Sequence, residues 1–303
     1  MKLTIIGIGG VGGLLAGVLI RRYGDEVSLI ARGERLRQLR EQGLTLRADA
    51  YGSFTVHPAV ATDRADTLPV QDAVLVCVKN GGLAQAAAQI APLVDDHTLV
   101  LPVMNGVSAG DNLRRLLGKG RILDSVIYTV SSVEAGGVVT QKGGFTQIYM
   151  GGEGAEPLAE YLRGAGIEAR VEADVQAAIW SKYVLNCAYN VVTARWGITI
   201  GAIKHSEQLT ADYRALMEEA WRVGRARGVN LPDDLVAQHM VRLMNCTDDS
   251  TSSLSRDFDA GRAGEMDIFT GEVVRMAEVC GIDVPMSRAY LQGLQTRAAT
   301  FAQ

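Results

Sequence analysis

The chain has 303 residues, of which 48% are hydrophobic and 21% charged, so it can bury a sizeable core and is too apolar for disorder to dominate. Lys and Arg number 30 against 34 Asp and Glu, and the formal charge of −4 offers no general attraction to nucleic acid or to an anionic membrane. Cys77, Cys187, Cys246 and Cys280 form no CxxC pair, and His57, His97, His205 and His239 stand alone, which suits neither a disulfide framework nor a zinc site; no metal is expected.

The apolar run from Leu3 to Ile20 follows Lys2 as a secretory leader would, but Gly7, Gly9, Gly10, Gly12 and Gly13 interrupt it, and Arg21-Arg22 follow in place of a cleavage site. The glycines also argue against a membrane span, and a cytoplasmic protein is expected. Lys2–Ile6 reads as a strand, Val11–Tyr23 as a helix, Glu26–Ala31 as a strand and Glu34–Gln42 as a helix closed by Gly43. Leu44–Arg47 and Ser53–His57 suit an antiparallel pair. Strands at Ala73–Val78 and Thr98–Met104 alternate with helices at Gly82–Leu93 and Asp111–Leu117, and further strands are expected at Ile122–Thr129 and Val138–Met150. Repeated β-α-β of this kind predicts a parallel, doubly wound sheet. After about Val171 the strand signals stop. Helical patterns cover Asp174–Arg195, Glu207–Gly228, Asp233–Met244, Ser250–Asp259 and Glu265–Cys280, with Gly281 and Pro285 read as terminators. The expected organisation is an α/β domain over 1–173 and an all-helical domain over 174–303.

Gly7-Ile8-Gly9-Gly10-Val11-Gly12 fits G-x-G-x-x-G between a strand and a helix, the context in which glycines let backbone N–H groups approach a pyrophosphate. A purely structural glycine turn is the alternative. Where NAD sites place Asp or Glu at the end of the second strand, this chain has Arg32, suited to a 2′-phosphate, so NADP(H) is the expected cofactor; a solvent-exposed loop arginine is the alternative. Lys79 and Asn105-Gly106 follow successive apolar strands, at the carboxyl end of the sheet where ligands bind. In the helical half, Lys182, Asn186 and Asn190 stand at i, i+4 and i+8 on one helix face amid apolar residues. Such a stripe either meets a carbonyl-bearing, hydroxylated substrate or is a polar seam satisfied by neighbouring carbonyls. A desolvated lysine has a lowered pKa and suits proton donation. Ser253 and Glu265 are ligand candidates or helix caps.

These residues together resemble the ketopantoate reductase (2-dehydropantoate 2-reductase) family: the glycine motif, Lys79, Asn105-Gly106, the W-x-K-x-x-x-N run from Trp180 to Asn186, Asn190, and the stretch from Ser252 to Glu265 with Asp257, Gly261 and Arg262. The resemblance spans nearly the whole chain. It implies NADPH-dependent reduction of 2-dehydropantoate to (R)-pantoate in pantothenate biosynthesis, by a Rossmann-type N-terminal domain and a helical C-terminal domain with the active site in the cleft between them. Carried over, Lys182 would donate the proton, Asn186 and Asn190 would bind the substrate hydroxyls, and Ser253 its carboxylate. Asn105 would contact both cofactor and substrate. Arg32 and Lys79 would hold the adenosine phosphate end, while Ser132 and Glu265 would lie on the cofactor side, Glu265 also assisting Lys182. Thr199 stands where members often have a further asparagine, and Leu254 where methionine commonly follows the serines. The alternatives are reduction of another branched or hydroxylated 2-oxo acid, and a non-catalytic NADP(H)-binding sensor. Expected partners are a small-molecule 2-oxo acid and a homodimer mate, with neither nucleic acid nor membrane.

Overall fold

The computed structural model describes residues 1–302. Two compact units divide the chain, Met1–Val175 and the part from Gln176 onward.

The first unit begins with β1 (Leu3–Ile6), α1 (Gly10–Tyr23), β2 (Val27–Ile30), α2 (Gly33–Glu41), β3 (Leu44–Ala48), β4 (Gly52–Val56) and β5 (Val60–Thr62). It continues through β6 (Ala73–Val76), α3 (Leu83–Ile90), β7 (Leu99–Pro102), α4 (Ala109–Leu117) and β8 (Arg121–Ile122). β9 (Asp124–Val133), β10 (Val139–Gly151), α5 (Ala155–Gly164) and β11 (Glu168–Val171) close it. Six strands form a parallel sheet in the order β5-β2-β1-β6-β7-β8, the doubly wound arrangement that the β-α-β alternation predicts. Every residue of β1, β2, β6 and β7 is buried, as continuous apolar strands are when both faces of a sheet are covered.

A second sheet, in the order β11-β10-β3-β4, lies outside the sequence expectation, as do β5, α5 and β11. β3 and β4 pair antiparallel as expected, but β3 also runs parallel to β10, and β9 pairs antiparallel along β10. The strand expected over Ile122–Thr129 is two strands. Ile122 ends β8 in the first sheet, the chain passes through the fully buried Leu123, and β9 begins the second. This second sheet explains α1. The helix touches β3, β4, β9 and β10 as well as β1 and β2, so it is buried all round from Gly12 to Ile20, and an apolar stripe on one face alone would leave the other unmatched.

The second unit is helical: α6 (Val175–Trp196), α7 (Ile200–Lys204), α8 (Glu207–Ala226), α9 (Leu235–Asn245), α10 (Ser253–Asp259), α11 (Glu272–Cys280) and α12 (Pro285–Ala299). Three expectations change. The helix expected from Ser250 starts at Ser253, because Ser252 is the N-cap and its hydroxyl accepts from the Ser255 N–H. The helix expected from Glu265 starts at Glu272 and is preceded by a wide π-helical turn, Asp267–Gly271. Pro285 opens α12 and does not merely stop α11: at the first helical position its missing N–H is harmless. The buried Glu219 carboxylate accepts from the next two amides, Met286 N at 2.8 Å and Ser287 N at 2.7 Å, and fixes that helix end.

Candidate active site

In the first unit the β1–α1 loop is built by close backbone approach. Gly7 has φ +92°, and a Cβ there would lie 2.7 Å from the backbone of Cys77 and Val78 at the end of β6. A Cβ on Gly12 would collide with the Gly7 carbonyl oxygen and sit 2.9 Å from Cys77 Cβ. Gly9 differs: nothing stands within 4 Å of where its Cβ would be, so that face of the loop is open. Gly9 caps α1 without a side-chain bond, the first turn carries no acidic residue, and the N–H groups of the first turn are free by geometry to meet an anion. Gly10 is packed against the backbone of Ser131 and Ser132, which brings Ser132 to the loop; its own hydroxyl bonds Thr140 at 2.9 Å.

A pocket of about 470 Å³ opens beside this loop. Gly7, Ile8, Gly9, Arg32 and Lys79 line it, and so does Arg35. Arg32 is the exposed N-cap residue of α2, two residues past the end of β2, and makes no ion pair among the described residues. Lys79 leaves the end of β6, also exposed. Asn105, after β7, is half-buried, and its carbonyl accepts from Asn80 Nδ2 at 2.9 Å. Arg35 is absent from the sequence reading. Its Nε donates to Ile8 O at 3.0 Å and its Nη1 to Gly137 O at 2.7 Å, tying the glycine loop to the β9–β10 connection, and burial lowers its pKa. The signal was its place one turn after Arg32, on the half-buried face of α2. Burial pushes the Cys77 thiol, behind the loop, up to about 12, so it stays protonated.

In the second unit α6 carries the polar stripe. Lys182 and Asn186 are half-buried, and Asn190 is only 4% exposed. Desolvation pulls the Lys182 ammonium down to about 8, while the Glu265 carboxylate acts in the opposite direction. Asn190 Oδ1 accepts from Ser253 Oγ at 3.1 Å and from Leu254 N at 3.3 Å, so the start of α10 is stitched to the stripe. Thr193 adds a second stitch, its hydroxyl donating to Ser252 Oγ at 2.7 Å. The structure therefore joins Asn190 with Ser253, and it sets the Glu265 carboxylate near enough to Lys182 for its charge to act there. Only the amide nitrogen of Asn190 remains to meet a further acceptor, and the Ser253 hydroxyl must turn from Asn190 to donate elsewhere. Thr199 is the N-cap residue of α7 and bonds no helix N–H through its side chain.

Two supporting side chains were not singled out from sequence. His239, buried on α9, is 2.8 Å from the carbonyl of Ser181, the residue before Lys182. Tyr183, the residue after Lys182, donates to the carbonyl of Ile268 in the π-helical turn at 2.6 Å. Among the described residues no group of three His, Cys, Asp or Glu could hold a metal ion, and no helix is long and apolar enough to cross a membrane.

Residues 3–153 match the family model described as Ketopantoate reductase PanE/ApbA, and residues 174–298 match that of its C-terminal domain. A 2-dehydropantoate 2-reductase of Mesorhizobium japonicum is 30% identical, over 96% of each chain. Among solved structures, a PanE/ApbA family ketopantoate reductase from Ralstonia eutropha superposes with a TM-score of 0.92 and 31% identity over the whole of both chains. A ternary structure of D-mandelate dehydrogenase with NADH and anilino(oxo)acetate shares the fold, with a TM-score of 0.89 at 19% identity over the whole of both chains.

Proposed function

Because the chain belongs to the ketopantoate reductase family, we propose that it reduces 2-dehydropantoate to (R)-pantoate with NADPH, a step of pantothenate biosynthesis. The observation that carries this reading is Lys182: a lysine drawn down to about 8 by desolvation, on a helix face shared with two amides. An acid of that strength is mostly protonated at neutral pH and still gives up its proton readily.

The first unit fits a dinucleotide. Its glycine loop has an open face at Gly9, a helix end with unclaimed N–H groups, and a pocket lined by Arg32 and Lys79. Arg32 and Lys79 would hold the phosphate end, with Gly7 to Gly12 and the Ser132 backbone against the rest. When bound, the reduced nicotinamide supplies a hydride to the ketone carbon. As charge develops on the ketone oxygen, the Lys182 ammonium stabilises it and donates its proton. Asn186 and the Asn190 amide nitrogen orient the substrate oxygens, and Ser253 turns from Asn190 to the carboxylate. Asn105 meets both ligands, and Glu265 supports the charged form of Lys182.

The second reading is the same chemistry on another branched 2-oxo acid. It is favoured by Thr199, whose shorter side chain stands in place of an amide. A non-catalytic sensor has no use for a desolvated lysine on this stripe. A panel of 2-oxo acids with NADPH and with NADH, followed by NADPH absorbance, tests all three. The proposal expects 2-dehydropantoate with NADPH to be best, and to exceed 2-oxoisovalerate, which lacks the hydroxymethyl arm, by at least about tenfold in kcat/KM. A better 2-oxoisovalerate rate moves the assignment to the second reading, and no turnover with any acid leaves the sensor.

A further inference from the structure

The π-helical turn Asp267–Gly271 begins two residues after Glu265, the carboxylate that acts on Lys182, with Met266 between them. Such turns hold one residue more than an α-turn, are intrinsically uncommon, and persist where something outside the helix fixes them. Here bonds from two directions do so. Within the same run of chain, Ile268 N donates to Glu265 O at 3.1 Å, Thr270 Oγ1 donates to Met266 O at 2.7 Å, and Arg275, on the α11 that continues the turn, clasps the Asp267 carboxylate with Nη1 at 2.8 Å and Nη2 at 2.7 Å. From outside that run, Tyr183 Oη donates to Ile268 O at 2.6 Å. That last bond comes from the residue that follows Lys182 on α6. Successive helix residues point about 100° apart, so Lys182 stands on the polar stripe while Tyr183 turns into the core, 2% exposed and edge-on to Trp180. The helix turn that presents the ammonium thus also grips the segment that presents its counter-charge.

We propose that Tyr183 is a positioning residue for the reduction: by anchoring the π-helical turn through Ile268, its hydroxyl sets how closely the Glu265 carboxylate faces the Lys182 ammonium. This rests on the reading of Lys182 as proton donor. The charged and titratable groups around the pair are few. Glu265 acts on Lys182, whereas Cys187, Glu272 and Arg275 act on the Tyr183 hydroxyl, and Arg275 is also ion-paired with Asp267 of the turn at 2.7 Å. Glu265 favours the protonated lysine, so a loosened turn weakens that support.

The test is Tyr183→Phe, which keeps the ring and removes only the donor. Circular dichroism and NADPH affinity check the fold. The Lys182 midpoint is read by NMR of 13Cε-lysine-labelled protein, assigned with Lys182→Ala, and the pH profile of kcat is measured alongside. Expected are NADPH affinity within about twofold of wild type, a several-fold loss in kcat, and a lysine midpoint and kcat limb lowered by about half a pH unit. In a Glu265→Gln background the same change should add no further shift. An unchanged midpoint, a raised midpoint from water reaching the lysine, or an equal shift without Glu265 overturns the proposal. Turnover retained by Lys182→Ala overturns the proton-donor reading instead, while the NMR comparison still reports whether Tyr183 couples Glu265 to the lysine.

Discussion

Lys182 combines an apolar setting with a charge, and both its chemistry and its effect on stability follow from that. Its folded value of about 8 lies below the ordinary 10.5, so between those pH values the unfolded chain holds more proton and stability rises with pH. Lys182→Met should therefore raise Tm at pH 7, with the advantage fading as pH rises from about 8 to 10.5. The same variant should lose about 10²–10⁴-fold in turnover with NADPH affinity nearly intact. Wild-type kcat should be level below pH 8 and fall above it, because the proposed donor is the protonated lysine. Near-normal turnover in the variant would return the stripe to a structural seam. Arg32 allows a second test. Losing a charge-assisted contact should weaken NADPH by about 1.5–3 kcal/mol in Arg32→Ala and leave NADH nearly unchanged, as measured by fluorescence titration. Equal losses would show that Arg32 does not meet the 2′-phosphate. The stripe itself was legible because i, i+4, i+8 spacing is a property of a helix seen one residue at a time. Glu265 was foreseen beside Lys182, but the bonding within the site was not. Ser253 reaches Asn190 from another helix, and Arg35 serves the loop through two carbonyls that no residue pattern announces.

Elements that read clearly in sequence are those whose neighbours are close in the chain. The glycine motif, β1, α1 and β2 form one β-α-β unit, and their bounds differ from expectation by a residue or so. Gly12 shows how little slack that unit has. Gly12→Ala puts a methyl into the Gly7 carbonyl, where backbone and not a flexible side-chain end must yield. The expected outcome is a stability loss of about 1–3 kcal/mol and a larger relative loss of NADPH affinity, checked by denaturation and cofactor titration on the same protein. Stability and affinity unchanged together would mean that the loop can open without consequence. Pro285 misled because a proline ends one helix and begins another with equal ease, and what decides is a distant Glu219 carboxylate capping the amides that follow. β5 and β8, of three and two residues, are too short for any periodicity to register.

At the scale of the whole chain, the change from alternating strand and helix to helix alone was visible as a change of texture near residue 173, and the structure divides at Val175. The second sheet was not visible, because hydrophobic alternation says that a strand is half-covered and never names its partner. Leu46 in β3 pairs with Val139 in β10, and Arg47 with Thr140. That pairing has a consequence for synthesis. During translation β3 emerges roughly ninety residues before its parallel partner exists, an interval on the order of 5–20 s at ribosomal elongation rates. Through that interval α1, apolar on every side, has only one of its two sheets to lie against, and its outer face is open to chaperones or to other nascent chains. The glycine loop at the head of α1 thus leaves the ribosome well over a hundred residues before the β9–β10 hairpin is complete, and it gains its final support only when that hairpin arrives to receive it.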